Sequence, residues 1–528
     1  MWARFHRRDI PVILHYIGLL VIVLAALELV PLATALIFGE WEAAVRYFFS
    51  AGLTFAFGMA LRITVTGDCS MDKRQAVAIT VLIWVVFALL GAVPLALSGH
   101  YCSYFDAVFD SISSLTDTGL SLINDLDHMA NADDTWRFAM QFIGGQGVVL
   151  IALSLGIFTK AGSSLYSAEG RDESIVPNIK STARFIWRVS GVMVLFGTVI
   201  LMFICLFLGF KPLDAFFNGL WITIGAYDTG GLAPHALSLM YYHSWPFEIV
   251  TMMLMLFGAT NFILYAQIGK GFWRQVVKDI EVRTLALWML GMLALFVLAM
   301  MGGNFLTDVS GLVRRGVFTV ISAATSTGFT VLSTNQMATL MTSGALFVIA
   351  IAMAIGGSSG STVGGIKAMR IGIIAKSVAL KVKAFLLPSS ALVRTDYYHI
   401  NRRKLSPELM MSAMVVSILY VISFVIGSFV GIACGYDGLA SAFESISAAA
   451  NNGLSTGITA VGMPPVLELT YMLQMWLGRL EFLSVLAIIT GFIASFKRRR
   501  NNPLAPVHRR RAEKAALPQN SDQPAGMR

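Results

Sequence analysis

Charge is scarce in this sequence. Of 528 residues, only 13% are Asp, Glu, Lys or Arg, whereas 56% are hydrophobic and the mean hydropathy is +0.72. A soluble domain carries roughly 25% charged residues, so this chain lacks the polar groups needed to cover a water-facing surface. Cysteine is equally thin: Cys69, Cys102, Cys205 and Cys434 show no CxxC pair and no disulfide spacing. Cys205 and Cys434 read as apolar helix residues. Acidic clusters of the kind that hold Mg²⁺ in lipid-phosphate transferases are missing from the loops on the basic side, where Asp72, Asp172, Glu173 and Asp279 stand in scattered positions. That argues against a membrane-embedded enzyme. The outer Asp133-Asp134 pair reads as solvated loop or a helix start.

What the chain has instead is long apolar runs. Residues 11–38 hold one charged side chain, Glu28, and 75–99 and 189–210 hold none. Each exceeds the roughly 20 residues that cross a bilayer. Further spans are predicted near 44–61, 136–158, 246–269, 284–301, 408–434 and 467–496, and a glycine-interrupted one at 338–385. The first run follows a basic flank, Arg4 to Arg8, but is longer than a signal-peptide core. The net charge of +9 is sorted by loop. Of 39 Lys and Arg, five (Arg46, Arg137, Lys211, Arg314, Arg315) fall in alternate loops, Arg479 lies within a span, and the other 33 share one side. The positive-inside rule makes that side cytoplasmic, with both termini there and an even number of spans, about ten. Nucleic acid is not needed to explain the basic charge.

One unit occurs four times. Phe109-Asp-Ser-Ile-Ser-Ser-Leu-Thr-Asp-Thr-Gly119 aligns without a gap to Phe443-Glu-Ser-Ile-Ser-Ala-Ala-Ala-Asn-Asn-Gly453 and to Phe318-Thr-Val-Ile-Ser-Ala-Ala-Thr-Ser-Thr-Gly328. A weaker copy, Gly225 to Leu232, leaves two registers open, with Gly230 or Gly231 as its key glycine; the glycine before a large apolar residue favours Gly231. Each copy places a short helix (104–115, 213–226, 312–324, 439–449) between two spans, and each helix is too short to cross a bilayer. Non-helical backbone at membrane depth survives only when buried or lining water. Glycine lets such a loop turn its carbonyls inward, and four such loops make a ring that replaces a cation's hydration shell. The short helices point their negative C-terminal ends at it.

On these residues the sequence resembles the Trk/Ktr/HKT superfamily of cation transporters over about residues 75–496. The resemblance implies an all-α integral membrane protein with four span–pore helix–span repeats around one pseudo-fourfold pore, preceded by the two-helix hairpin that marks the Trk type. The implied divisions are a hairpin at 1–70, repeats at 71–160, 185–270, 280–387 and 405–496, and a basic tail at 497–528 that reads as disordered. The filter residues implied are Thr116, Asp117, Thr118 and Gly119; Asp228, Thr229, Gly230 and Gly231; Thr325, Ser326, Thr327 and Gly328; and Ala450, Asn451, Asn452 and Gly453. K⁺, the transported ion, is expected at Thr116, Gly119, Gly231, Thr325, Gly328, Asn451 and Gly453, and no organic cofactor is expected. Gly144-Gly145-Gln146-Gly147, Gly258-Ala259-Thr260-Asn261-Phe262 and Leu477-Gly478-Arg479-Leu480-Glu481 match the second helices of three repeats.

Glycine also breaks the third repeat's second span, in Gly356-Gly-Ser-Ser-Gly-Ser-Thr-Val-Gly-Gly-Ile-Lys367. At about 1 kcal/mol per glycine such a stretch does not hold a helix. It fails the G-x-x-x-x-G-K-[ST] pattern of a phosphate loop. The resemblance makes it an intramembrane gate, carried by Gly356, Gly357, Ser358, Gly360, Ser361, Thr362, Gly364, Gly365 and Lys367. Arg479 is the one basic residue deep within a span; an unpaired charge there is costly, so it faces the pore beside this loop, or pairs with Glu481 or a carbonyl. Asp117 and Asp228 depart from the Thr, Ser or Asn expected in such filters. They either face the pore or bond behind it, which leaves K⁺ versus Na⁺ selectivity open. The function expected is K⁺ uptake across a bacterial inner (plasma) membrane, with a Na⁺-permeable or ion-coupled secondary transporter of the same fold as the alternative. The expected partners are membrane lipid, a second copy in a homodimer and a cytoplasmic nucleotide-binding regulatory subunit.

Overall fold

The computed structural model describes residues 6, 8–64, 72–148, 179–300, 309–388 and 395–496. Cys69, most of the basic 160–188 loop, the second half of the span predicted at 136–158, and the tail 497–528 lie outside these residues. An N-terminal hairpin comprises α1 (Asp9–Leu27), α2 (Leu29–Phe38) and α3 (Trp41–Arg62). Its inner contact is tight: a Cβ on Gly18 would lie 2.7 Å from the Gly58 carbonyl oxygen. Glu28, buried at the α1–α2 joint, accepts a hydrogen bond from Thr54 on α3 at 2.9 Å.

Four helix–loop–helix units follow. The first has α4 (Lys73–Ala96), the short α5 (Tyr104–Leu115) and α6 (Asn131–Gln146). The second has α7 (Ile179–Phe207), short α8 (Pro212–Tyr227), α9 (Trp245–Gly258) and α10 (Phe262–Gly269), with α11 (Trp273–Lys278) leading on. The third has α12 (Ile280–Met300), short α13 (Val309–Ala324), α14 (Thr334–Leu340), α15 (Ser343–Ala354) and α16 (Ala368–Leu386). The fourth has α17 (Pro407–Ala433), short α18 (Gly438–Ala449), α19 (Pro465–Arg479) and α20 (Leu483–Phe496). Local chemistry starts three of the short helices. Ser103 caps α5 through the Asp106 amide, Pro212 opens α8 at a position that needs no N–H, and Asp437 caps α18 through the amides of Leu439 and Ala440.

Among the described residues, six helices are long and apolar enough to cross a membrane, or eight if each of two bent pairs counts as one crossing. Those pairs correct the reading of 246–269 and 467–496 as unbroken spans: α9 and α10 meet at 99°, and α19 and α20 at 107°. Residues built for turning cause both breaks. Asn261 caps the new helix through the Ile263 amide. Glu481 and Phe482 both adopt left-handed φ, at 53° and 62°, which few non-glycine residues tolerate. Two short pairings add a little β structure: β1 (Ile355–Gly356) runs parallel to β2 (Ile366–Lys367), and β3 (Asp396–His399) forms a hairpin with β4 (Asn401–Lys404).

Candidate ion pathway

The four short helices end alike. Asp117, Thr229, Ser326 and Asn451 take left-handed φ of 55°, 58°, 49° and 52°. The next amide in each chain returns to the helix: Thr118 to Ser113, Gly230 to Gly225, Thr327 to Ser322 and Asn452 to Ser447, at 2.8 to 3.1 Å. This is a Schellman ending, with a six-to-one bond behind a left-handed residue. Two residues beyond each stands a glycine, also left-handed: Gly119, Gly231, Gly328 and Gly453, with φ of 85°, 65°, 85° and 94°. The second copy therefore registers on Gly231. Thr229, not Asp228, is the backbone counterpart of Asp117.

These glycines close a ring. A Cβ on Gly119 would lie 2.5 Å from the Gly230 carbonyl oxygen, one on Gly231 1.9 Å from that of Thr327, one on Gly328 1.9 Å from that of Asn452, and one on Gly453 2.1 Å from that of Thr118. Each glycine thus abuts the carbonyl preceding the next, and the fourth returns to the first. All four line one cavity of about 210 Å³. Side chains brace the ring from outside it. Thr116 and Thr325 each bond back to an isoleucine carbonyl in their own helix, and each contacts the threonine two residues on at 2.8 Å. Asn451 donates to the Thr118 hydroxyl, and Asn452 to the Ala323 carbonyl.

Two buried acids that the sequence reading passed over hold the strands leaving the ring. Asp110 accepts from Ser121 at 2.6 Å and pairs with buried Arg137, while Glu444 accepts from Ser455 at 2.5 Å and from Thr459. Each acid directly follows the repeat's phenylalanine, and each serine stands two residues past its glycine, so the signal lay in the alignment. Of the two readings of the Asp133-Asp134 pair, the helix start holds, since both lie in the first turn of α6, and the solvated loop does not: both are buried, Asp133 against Arg46 and Tyr47, Asp134 against Arg137. A loop reading failed because α6 begins at Asn131 and turns both inward.

On the opposite side of the ring lies the glycine stretch 356–367. It is pinched where Ile355 pairs with Ile366 and Gly356 with Lys367, and most of it is buried. It touches two of the loops. A Cβ on Gly364 would lie 2.3 Å from the Ala450 carbonyl, and the Thr362 hydroxyl contacts the Tyr227 and Gly258 carbonyls and the Thr229 hydroxyl. Gly360 and Gly365 are left-handed, Ser361 bonds the Ser358 carbonyl, and Lys367 bonds that of Val363. A Cβ on Gly357 would lie 2.7 Å from the Ala259 carbonyl, whose oxygen also accepts from the Ser358 amide.

Arg479 ties this stretch to the ring. Its guanidinium donates to the Thr362 carbonyl at 2.5 Å and to those of Gly144 and Gly145, and lies 2.9 Å from the Asp117 carboxylate. Of the pairings open from sequence, carbonyls are realised and Glu481 is not, because Glu481 pairs with Arg370. Asp228 accepts from Gln146 at 2.8 Å. Both acids of the first two loops flank Gly145, where a Cβ would fall 2.8 Å from each side chain. Three second-helix glycines serve the same close approach. Cβ atoms on Gly144, Gly258 and Gly478 would meet the last carbonyl of the preceding short helix, at Leu115, Tyr227 and Ala449, within 2.1 Å.

One connection leads away from the ring. Glu281 accepts from the Ser359 amide at 2.7 Å and from Asn261. Neighbouring Asp279 holds His399 and the Ile400 amide of the β3–β4 hairpin. Asp279, Glu281 and His399 are all fully buried. Sequence reading had Asp279 as an isolated loop residue; its partner lies far along the chain and no local pattern marks it.

Four helix–loop units arranged around one axis, within a bundle of long apolar helices, define a polytopic membrane protein with a central loop ring. The profile of the TrkH family, described as cation transport proteins, matches residues 45–493. The chain belongs to that family, as a Trk-type membrane subunit. It is 29% identical to the uncharacterized cation transporter MJ1485 of Methanocaldococcus jannaschii over 92% of this chain and 96% of that one. It is 28% identical to the Trk system potassium uptake protein TrkG of Escherichia coli over 91% and 98%, and to TrkH of Halomonas elongata over 90% and 98%. The crystal structure of the potassium transporter TrkH from Vibrio parahaemolyticus shares the fold, with a TM-score of 0.76, 23% identity, and coverage of 93% of this chain and all of that one.

Proposed function

We propose that this chain takes up K⁺ through a pore whose filter is the ring of loops at Gly119, Gly231, Gly328 and Gly453. The observation that carries the reading is the cyclic contact of the four glycines around one cavity. Left-handed glycine sets carbonyls toward the axis, and carbonyl rings dehydrate monovalent cations. Names of relatives supply the ion: three are potassium uptake proteins or transporters. The stretch 356–367 with Arg479 is the gate. Contact with the second and fourth loops, beside a cavity of about 40 Å³ that Arg479, Gly360 and Gly364 line, supports a position across the path.

The charge-sorted loops support an inner (plasma) membrane position with both termini cytoplasmic, and the family supports a homodimer working with a cytoplasmic nucleotide-binding subunit. Growth of a potassium-uptake-deficient bacterium at low K⁺, with Rb⁺ and Na⁺ flux into vesicles holding the purified protein, tests the reading. Rescue with Rb⁺ flux above Na⁺ flux is expected. Na⁺ flux at the same rate would make it an unselective cation pathway.

A further inference from the structure

Away from the ring, a cavity of about 540 Å³ opens between α12, α16 and the β3–β4 hairpin. Its position is set by the helix crossing: a Cβ on Gly372 would lie 2.6 Å from the Thr284 hydroxyl and 2.8 Å from Ile280, so the two helices nearly touch and diverge beyond. From α12, Ile280, Arg283, Thr284 and Leu287 share the face that lines it; from α16, Gly372 and Lys376 do.

Charge in this cavity is one-sided. Lys278, Arg283, Lys376 and Arg402 line it against a single acid, Asp396. Arg402 is matched by that acid at 3.0 Å. The Lys376 ammonium bonds only the Asp396 backbone carbonyl, and Arg283 the Val277 carbonyl, through Nε. Three cations therefore converge with no carboxylate of their own among the described residues.

The surroundings are those of a bilayer edge. The cavity lies where the apolar span α12 begins, and Leu287 on its wall is 71% exposed. Farther along the same face of α12, Leu290 and Val297 are 65% and 41% exposed, an apolar stripe leading from the charged end into the span. A basic pocket between membrane helices, opening onto apolar helix surface, matches a molecule with an anionic head and acyl tails. We propose that this cavity is a binding site for the headgroup of an anionic phospholipid, with Lys278, Arg283 and Lys376 on the phosphate and the acyl chains along α12. Water-soluble phosphate would use the cations but leave the stripe bare; an acidic protein segment would not need it.

Delipidated full-length protein in neutral detergent, titrated with phosphatidylglycerol, with phosphatidylcholine and with inorganic phosphate, tests the site. Thermal stabilisation and lipid-bound mass report binding, since a ligand of the folded state raises its stability. Stabilisation by phosphatidylglycerol alone is expected. Lys278→Gln and Arg283→Gln each weaken it roughly fivefold, the equivalent of ~1 kcal/mol per cation; the exposed control Arg274→Gln leaves it unchanged. Lys278 is exposed, so its variant folds. Equal stabilisation by inorganic phosphate would make this a phosphate site and overturn the lipid assignment, as would Lys278→Gln and Arg283→Gln binding lipid like wild type. Neither readout involves ion flux, so the outcome is independent of the proposed pore.

Discussion

The carboxylate of Asp117, in the first loop, lies 2.9 Å from the guanidinium of Arg479, at the end of α19, with 1% and 10% of the two side chains exposed. In the proposed pore, a positive group beneath the ring is a barrier that this acid offsets. Breaking a buried pair costs about 3–5 kcal/mol because one charge is stranded. Asp117→Asn therefore leaves Arg479 unopposed, and Rb⁺ uptake falls at least tenfold. Adding Arg479→Gln restores most of it, a non-additive pair in a double-mutant cycle. Wild-type uptake in Asp117→Asn would show that the pair does not set the barrier.

Gly328→Ser and Gly453→Ser abolish selective uptake. Each new Cβ would sit near 2 Å from a neighbouring loop's carbonyl, on backbone with φ of 85° or 94°, so the ring must open to admit it. Gly191→Ser, with nothing within 4 Å, is the matched control. Flux and the K⁺/Na⁺ ratio in vesicles read the difference.

Thr362→Val removes three hydroxyl contacts that hold the glycine stretch 356–367 to the second unit while keeping its shape. Flux rises with selectivity near wild type, and Arg479→Ala, which frees the Thr362 carbonyl, adds little to it. Lower flux in correctly folded Thr362→Val would mean that these contacts build the conducting state.

Asp279→Asn strands His399 and weakens the acceptor for two backbone amides. Leaving buried polar groups unmatched costs about 1–3 kcal/mol, so the thermal midpoint falls, and flux changes because Glu281, next along, holds Ser359. An unchanged midpoint would show that the hairpin is not anchored there.

His235 gives a pH dependence at the cavity that the ring glycines line. Burial holds its imidazole below the usual histidine range, against the opposing pull of Asp127; Asn218 and the Tyr241 and Tyr242 rings also face it. The unfolded chain binds the proton first as pH drops below roughly 6.5. This site's contribution to stability is therefore present above that pH and lost as pH falls toward the folded value. Thermal midpoints of wild type and His235→Gln across pH 5 to 8 should converge on the acid side; parallel curves would contradict this.

Much of this arrangement is written locally. The Phe-to-Gly spacing picks out three of the four glycines that meet at the ring, because each unit carries its own short helix and turn; the second unit, with Trp221 in place of phenylalanine, left Gly230 and Gly231 both open. The non-helical stretch 356–367 betrays itself by glycine inside an apolar run. What escaped are pairings between distant segments: Asp117 with Arg479, Asp279 with His399, Glu281 with Ser359. No period or spacing encodes them, and a charged residue alone does not name its partner. The bends at Asn261 and Glu481 were hidden for another reason, since the apolar runs continue through both and hydropathy does not register a change of direction.

Rb⁺ and Na⁺ flux into vesicles containing wild type, Gly328→Ser or Gly191→Ser tests the central claim most directly. The account predicts Rb⁺ flux above Na⁺ flux for wild type and Gly191→Ser, and loss of flux or of that preference for Gly328→Ser. Unchanged flux and preference in Gly328→Ser would place the ion path somewhere other than the glycine ring.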